Sequence, residues 1–189
     1  GVQTCALPIS WEGASDFLRD VMEPGGVPET RFLGGYYAGS LARGAGDVIV
    51  EKGPAMFREA ALNPFVLENI DVPALICGSW SDHGLHTRGS IEAFMRISSP
   101  QKWLYTHGDN KWDVYYRPDA LEWQKSFLDH FLKGENNGFD ARPRVRLEVR
   151  NTKEKIEVRT EDSGPLASTR FTPMYLDLDR GALVEQALK

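Results

Sequence analysis

Hydrophobic and polar positions follow two different rhythms along this chain. Between residues 71 and 134 the rhythm is that of alternating strands and helices. Val72 to Gly78 (VPALICG) is an unbroken apolar run of strand length, the pattern of a strand covered on both faces in a parallel sheet. Leu85 to Ile97 is amphipathic, with Ile91, Phe94, Met95 and Ile97 at helical spacing. Trp103 to Thr106 predicts a second short strand. Pro118 to Lys133 carries the clearest helical stripe, through Ala120, Leu121, Gln124, Phe127, Leu128, Phe131 and Leu132, at i, i+3, i+4 spacing. Gly134 stands where a left-handed C-terminal cap belongs. Strand, helix, strand, helix in this order predicts a parallel sheet with crossover helices.

Past the linker at residues 134–138 the period drops to two. In Arg144 to Arg150 (RVRLEVR), Val145, Leu147 and Val149 face one way and charges the other, which predicts a half-buried antiparallel strand. Residues 156–160 and 171–178 continue in that style. Pro173 inside the latter marks an edge or a bulge. These strands predict an all-β domain starting near residue 141. Upstream of residue 71 the signals are weaker. Ser15 or Asp16 can cap a short helix over FLRDVM, stopped by Pro24-Gly25-Gly26. Residues 34–53 read as a Gly-rich loop. Pro54 to Leu62 reads as a helix with proline in its first turn.

Composition narrows the class. The chain has 189 residues, 41% hydrophobic and 26% charged, which suits one or two globular domains. With 22 Lys and Arg against 27 Asp and Glu, the net charge is −5. There is no basic run, so nucleic acid is not an expected partner. No apolar stretch approaches the ~20 residues of a membrane-spanning helix. Two cysteines make no disulfide framework. Cys77, inside an apolar strand, reads as a buried thiol, and the compartment leans cytoplasmic.

The first residues stand apart. GVQTCALPI resembles the translation of a common short-read sequencing adapter, whose codons encode Gly1 to Ile9 and whose next base fits a Ser codon. Residues 1–10 are therefore set aside from fold reasoning, and the natural chain is expected to extend upstream.

Ligands of open α/β sheets bind beyond the carboxyl ends of the strands. One strand end here runs into Gly78-Ser79-Trp80-Ser81-Asp82, the next into Thr106-His107-Gly108-Asp109. An Asp after one strand and a His after the next is the chain order of the last two members of a Ser-Asp-His triad. A hydroxyl is a weak nucleophile until a base takes its proton, and the base needs a carboxylate to hold its tautomer and stabilise the imidazolium. The bland alternative is two unrelated loop residues. No G-x-S-x-G occurs, and Ser79 and Ser81 read as loop residues. Asp82, His83, His86, His107 and Asp109 also resemble a metal-ligand cluster by type, but no metal-binding signature accompanies them, and neither a metal nor a cofactor is expected.

IDVPALICGSWSDHGLHTRG followed by KWLYTHGDNKWDVYY resembles the C-terminal half of the hydrolase unit in the cocaine esterase and X-Pro dipeptidyl-peptidase family. WEGASD with Arg19-Asp20 and Gly25-Gly26 is similar to the start of that family's helical cap. RVRLEVRN and PLASTRFTPMYLD are similar to its C-terminal jelly-roll domain. The resemblance implies an α/β fold: the C-terminal half of an α/β-hydrolase with a partial parallel sheet and a short cap segment, then the start of a jelly-roll β-sandwich. It divides the chain into the end of a core strand with the cap segment (11–70), the C-terminal part of the core (71–140) and the truncated sandwich (141–189). It implies that Asp82 orients His107, that His107 is general base and then acid, and that the nucleophilic Ser and oxyanion hole lie upstream. The fragment alone is then inactive. The substrate is a small ester or amide, with Tyr36, Tyr37, His83 and Trp112 as candidate contacts. Self-association is compatible with all of this. The competing class is a non-catalytic, hydrolase-like protein whose β-sandwich binds a ligand or mediates assembly.

Overall fold

The computed structural model describes residues 9–16, 18–22, 24–27, 66–82, 85–152 and 155–187. Tyr36, Tyr37, His83, the Gly-rich loop and the expected helix at residues 54–62 lie outside them.

A five-stranded sheet in the order β1-β2-β3-β4-β5 organises the chain. Its strands are β1 (Ile9–Trp11), β2 (Ala74–Ser79), β3 (Lys102–His107), β4 (Val145–Arg150) and β5 (Ile156–Glu161). β1, β2 and β3 are parallel, with Trp11 opposite Cys77 and Ser79 opposite His107. Ile9 and Ser10, from the stretch set aside as adapter-like, supply two of the three β1 pairings. Helix α1 (Thr87–Arg96) crosses from β2 to β3. After β3 come the short α2 (Lys111–Tyr115) and the long α3 (Pro118–Lys133). Gly134 caps α3 at φ 70, the conformation that costs glycine least.

All six β2 residues are buried, and their alternation feeds two cores. Leu75 and Cys77 join Trp103, Tyr105, Val114, Ala120, Phe127 and Phe139 on the α3 side. Ala74 and Ile76 join Leu67, Phe94, Ile97, Leu104 and Val145 on the α1 side. This double coverage is why β2 reads as a continuous apolar run. Burial pushes the Cys77 thiol well up. Burial likewise raises the Tyr105 phenol to about 12, and its hydroxyl donates to Asp119 Oδ2 at 3.0 Å in the first turn of α3. Among the described residues no helix is long and apolar enough to cross a membrane.

The period-two segments form β4 and β5, antiparallel to each other as expected. β4 pairs in parallel with β3 through Leu104–Val145 and Tyr105–Arg146, and β5 pairs antiparallel with β4. Val145 is buried in the α1-side core, so the period-two strand continues the same sheet. The expected strand at 171–178 shortens to β6 (Tyr175–Asp177), which pairs with β7 (Ala182–Val184) in a two-stranded sheet. Pro173 cannot donate to a ladder and lies outside it.

The loop after β1 is clamped to α1. Asp20, its side chain fully buried, accepts from the Ser15 and Asp16 amides at 2.9 and 2.8 Å and pairs with Arg88 Nη1 at 2.5 Å. Gly89 lets α1 approach this loop. A Cβ there would sit 2.6 Å from the Ser15 amide nitrogen and 2.9 Å from Ala14 Cα, both backbone atoms. Gly89→Ala is therefore expected to cost about 1–3 kcal/mol by overpacking. Urea denaturation of the protein and its variant checks this, and an unchanged midpoint would refute it.

Candidate active site

Because β1, β2 and β3 are parallel, their carboxyl ends share one edge of the sheet, where open α/β sheets hold ligands. Glu12 follows β1, Asp82 follows β2, and His107 ends β3. The Glu12 amide donates to the Cys77 carbonyl at 3.0 Å, extending the ladder by one residue. Glu12 has φ 57, a left-handed conformation that costs a non-glycine residue about 1–2 kcal/mol. Its side chain is 1% exposed, with Oε1 2.8 Å from His107 Nε2 and Oε2 3.7 Å from Lys111 Nζ. Among the described residues no directed hydrogen bond reaches either Glu12 oxygen or either His107 ring nitrogen. The His107 ring is fully buried and stacks under Trp11 at 6.3 Å between centroids.

Asp82 sits in a tight turn, its carbonyl accepting from the Leu85 and His86 amides at 3.1 Å. The Thr87 hydroxyl donates to the Ser79 carbonyl and fastens the start of α1 to β2. That turn brings His86 back onto the Asp82 side chain. His86 Nδ1 lies 2.6 Å and Lys111 Nζ 2.7 Å from the same oxygen, Asp82 Oδ2. Burial acts to raise the Asp82 carboxyl, but the hydrogen bonds and charges of Lys111 and His86 outweigh it and hold the group below the ordinary carboxylate range. Lys111 opens α2, which Asn110 caps by accepting from the Trp112 amide at 2.9 Å.

Glu12, Asp82 and His86 offer donor atoms within 4.8 Å of one another, a grouping able to surround a cation. The Lys111 ammonium already lies among them, 2.7 Å from Asp82, 3.5 Å from His86 Nδ1 and 3.7 Å from Glu12, and supplies the positive charge they face. Asp109, grouped with them by sequence, turns instead to Arg117 at 3.2 Å.

A cleft of about 480 Å³ opens over this network, lined by Trp11, Glu12, His86, Lys111, Trp112, Tyr115 and Tyr116. A neighbouring depression of about 370 Å³ reaches Ser81, Asp82 and Asn110 past Lys111 and Trp112. Trp112 is 67% exposed and stands at both openings. His107 lines neither.

Thus Asp82 and His107 share one strand-end network, yet among the described residues no hydrogen bond joins them. Asp82 holds His86 and Lys111, and Glu12 faces His107. Glu12 and Lys111 escaped the sequence reading, and His86 entered it only in the metal-ligand grouping, with no catalytic role. Glu12 leaves a faint trace, a charged residue directly after a short strand. Ser79 and Ser81 bond each other at 2.7 Å. Among the described residues no serine hydroxyl bonds a histidine ring.

No family model and no curated protein matches the chain. Solved structures do. A crystal structure of a CocE/NonD family hydrolase from Staphylococcus aureus superposes with a TM-score of 0.77 at 35% identity, covering 93% of this chain and 33% of that one. A second crystal structure of a hydrolase of the same family and organism gives 0.72 at 34%, with the same coverage. The chain thus spans a third of its neighbours' length. Identity at this level over 93% of the chain, on a shared α/β sheet, agrees with the motif resemblance: the chain is similar to a third of a CocE/NonD family hydrolase.

Proposed function

We propose that the complete enzyme cleaves a small ester or amide through an acyl-enzyme, with this chain contributing the acid–base half of the site. The serine nucleophile comes from outside the described residues. The resemblance gives the acid to Asp82 and the base to His107. The observation that carries the reading is the gathering of Asp82, His107, His86 and Glu12 at the carboxyl ends of three parallel strands, beside an aromatic cleft.

The chemistry follows. A histidine takes the proton from serine Oγ as Oγ bonds to the substrate carbonyl carbon. The tetrahedral oxyanion collapses, breaking the C–O or C–N bond, and the imidazolium returns the proton to the leaving oxygen or nitrogen. Water then repeats the sequence and frees the acid. Trp112, Tyr115 and Tyr116 would take the apolar part of the substrate, and Tyr36, Tyr37 and His83 remain candidate contacts on the same reading.

Extending the coding DNA upstream tests the proposal. An in-frame G-x-S-x-G elbow, covalent labelling of its serine by a fluorophosphonate, and p-nitrophenyl ester turnover are expected. An intact upstream frame without that serine would favour the non-catalytic reading. The chain of residues 1–189 alone is expected to show no ester hydrolysis above background. Turnover by it that disappears in His107→Ala would contradict that.

A further inference from the structure

Taking the acyl-hydrolase reading as given, we infer that His86, rather than His107, is the histidine that exchanges the proton with nucleophile and leaving group, and that Glu12 and His107 position the floor beneath it. A triad base uses its two nitrogens differently. Nδ1 donates to the buried acid and Nε2 faces the reacting atoms. His86 has this arrangement. Its Nδ1 lies 2.6 Å from Asp82 Oδ2, the short contact of a charge-assisted hydrogen bond. Its Nε2 has no partner among the described residues, and the side chain, 25% exposed, lines the 480 Å³ cleft.

His107 has the opposite arrangement. Its ring is wholly enclosed, Nε2 faces the Glu12 carboxylate at 2.8 Å, and Trp11 lies across it. A general base must come within ~2.6–3.2 Å of the proton it takes. From its present position His107 meets Glu12 at that range, whereas His86 borders the space a substrate would enter.

Lys111 completes the assignment. Its ammonium bonds the Asp82 oxygen that holds His86 and stands 3.7 Å from Glu12. It thereby couples two carboxylate–histidine pairs, Asp82–His86 at the cleft and Glu12–His107 below it. A cation shared between the acids keeps the Asp82 carboxylate charged and fixed under Nδ1, so the imidazole presents one tautomer to the cleft. His107 acts through Trp11, against which it stacks as a wall of the cleft, and Glu12 faces the His107 ring at Nε2.

The test uses the full-length enzyme and p-nitrophenyl acetate, with fluorophosphonate labelling as an independent readout. His86→Ala should lower kcat by about 10³-fold with KM within threefold, and added imidazole should restore at least about tenfold by entering the vacated space. His86→Gln, which keeps bulk and a polar contact to Asp82, should lose as much without rescue. His107→Ala should gain nothing from imidazole. Circular dichroism of each variant confirms a native fold. A native His86→Gln enzyme within tenfold of wild type overturns the inference, as does imidazole rescue confined to His107→Ala. A His86→Ala enzyme that is native, inactive and unrescued also counts against it. A wild-type enzyme that neither turns over the ester nor labels overturns the acyl-hydrolase reading and this inference together. An active wild type with the wrong histidine dependence overturns the inference alone.

Discussion

Asp82→Asn in the full-length enzyme is expected to lower kcat about 10³–10⁴-fold with KM little changed. Asp82 Oδ2 accepts from two donors at once, His86 Nδ1 and Lys111 Nζ. An amide oxygen placed there can accept from the same two donors but carries no charge. The imidazolium formed during turnover and the Lys111 ammonium then lose their counter-charge. Steady-state kinetics with an activated ester measures this, and a loss below tenfold would remove Asp82 from the mechanism. The same variant has a pH signature. The Asp82 carboxyl is held below its ordinary range, so the ionised form is favoured by folding. Its contribution to stability is complete above the unfolded value, near pH 4. It is lost as pH falls through the lower folded value. The melting-temperature difference between wild type and Asp82→Asn should therefore be largest near neutrality and shrink below about pH 4. A difference that grew on acidification would contradict the direction of the shift.

Trp103→Ala is expected to destabilise the full-length enzyme by about 3–5 kcal/mol. Trp103 is fully buried in β3. Its ring meets Phe139 at 4.9 Å, Phe131 at 5.7 Å and Phe127 at 6.2 Å between centroids. The Arg144 guanidinium covers it at 4.2 Å. Removing the indole leaves a cavity among the rigid rings of α3 and Phe139, and the helix cannot collapse into it without leaving the sheet. Leu132→Ala on the same helix, at a position 61% exposed, should change stability by under about 0.5 kcal/mol. Guanidinium titration of both variants checks the contrast. Equal midpoints would mean that the aromatic cluster is not what holds α3 to the sheet.

Much of the core was legible in the residues alone. The Val72–Gly78 run announced β2 because a strand covered on both faces has no polar position to break the run. The 118–133 stripe and Gly134 announced α3 and its end to the residue, since periodicity and capping are local. α2 was missed. Its five residues are too few to show a period, and only the Asn110 cap marks it. The parallel neighbour of β4 was not legible, for a different reason. Period two reports that one face of a strand is buried, and it is silent about which neighbour buries it. Val145 finds that neighbour in Leu104, 41 positions away in sequence and opposite it in the sheet.

The site divides along the same line. By itself the sequence determined the strand ends, the acid and histidine that follow them, the acidic surface and the family resemblance. These rest on local pattern and on motifs that need no partner to be read. Only the tertiary structure decided the pairing: Asp82 with His86 and Lys111, and His107 with a Glu12 buried at the end of a different strand. Parallel strands place residues distant in sequence at one edge. Within that edge, contacts of 2.6–2.8 Å depend on turn geometry and side-chain burial, which no spacing in the sequence encodes.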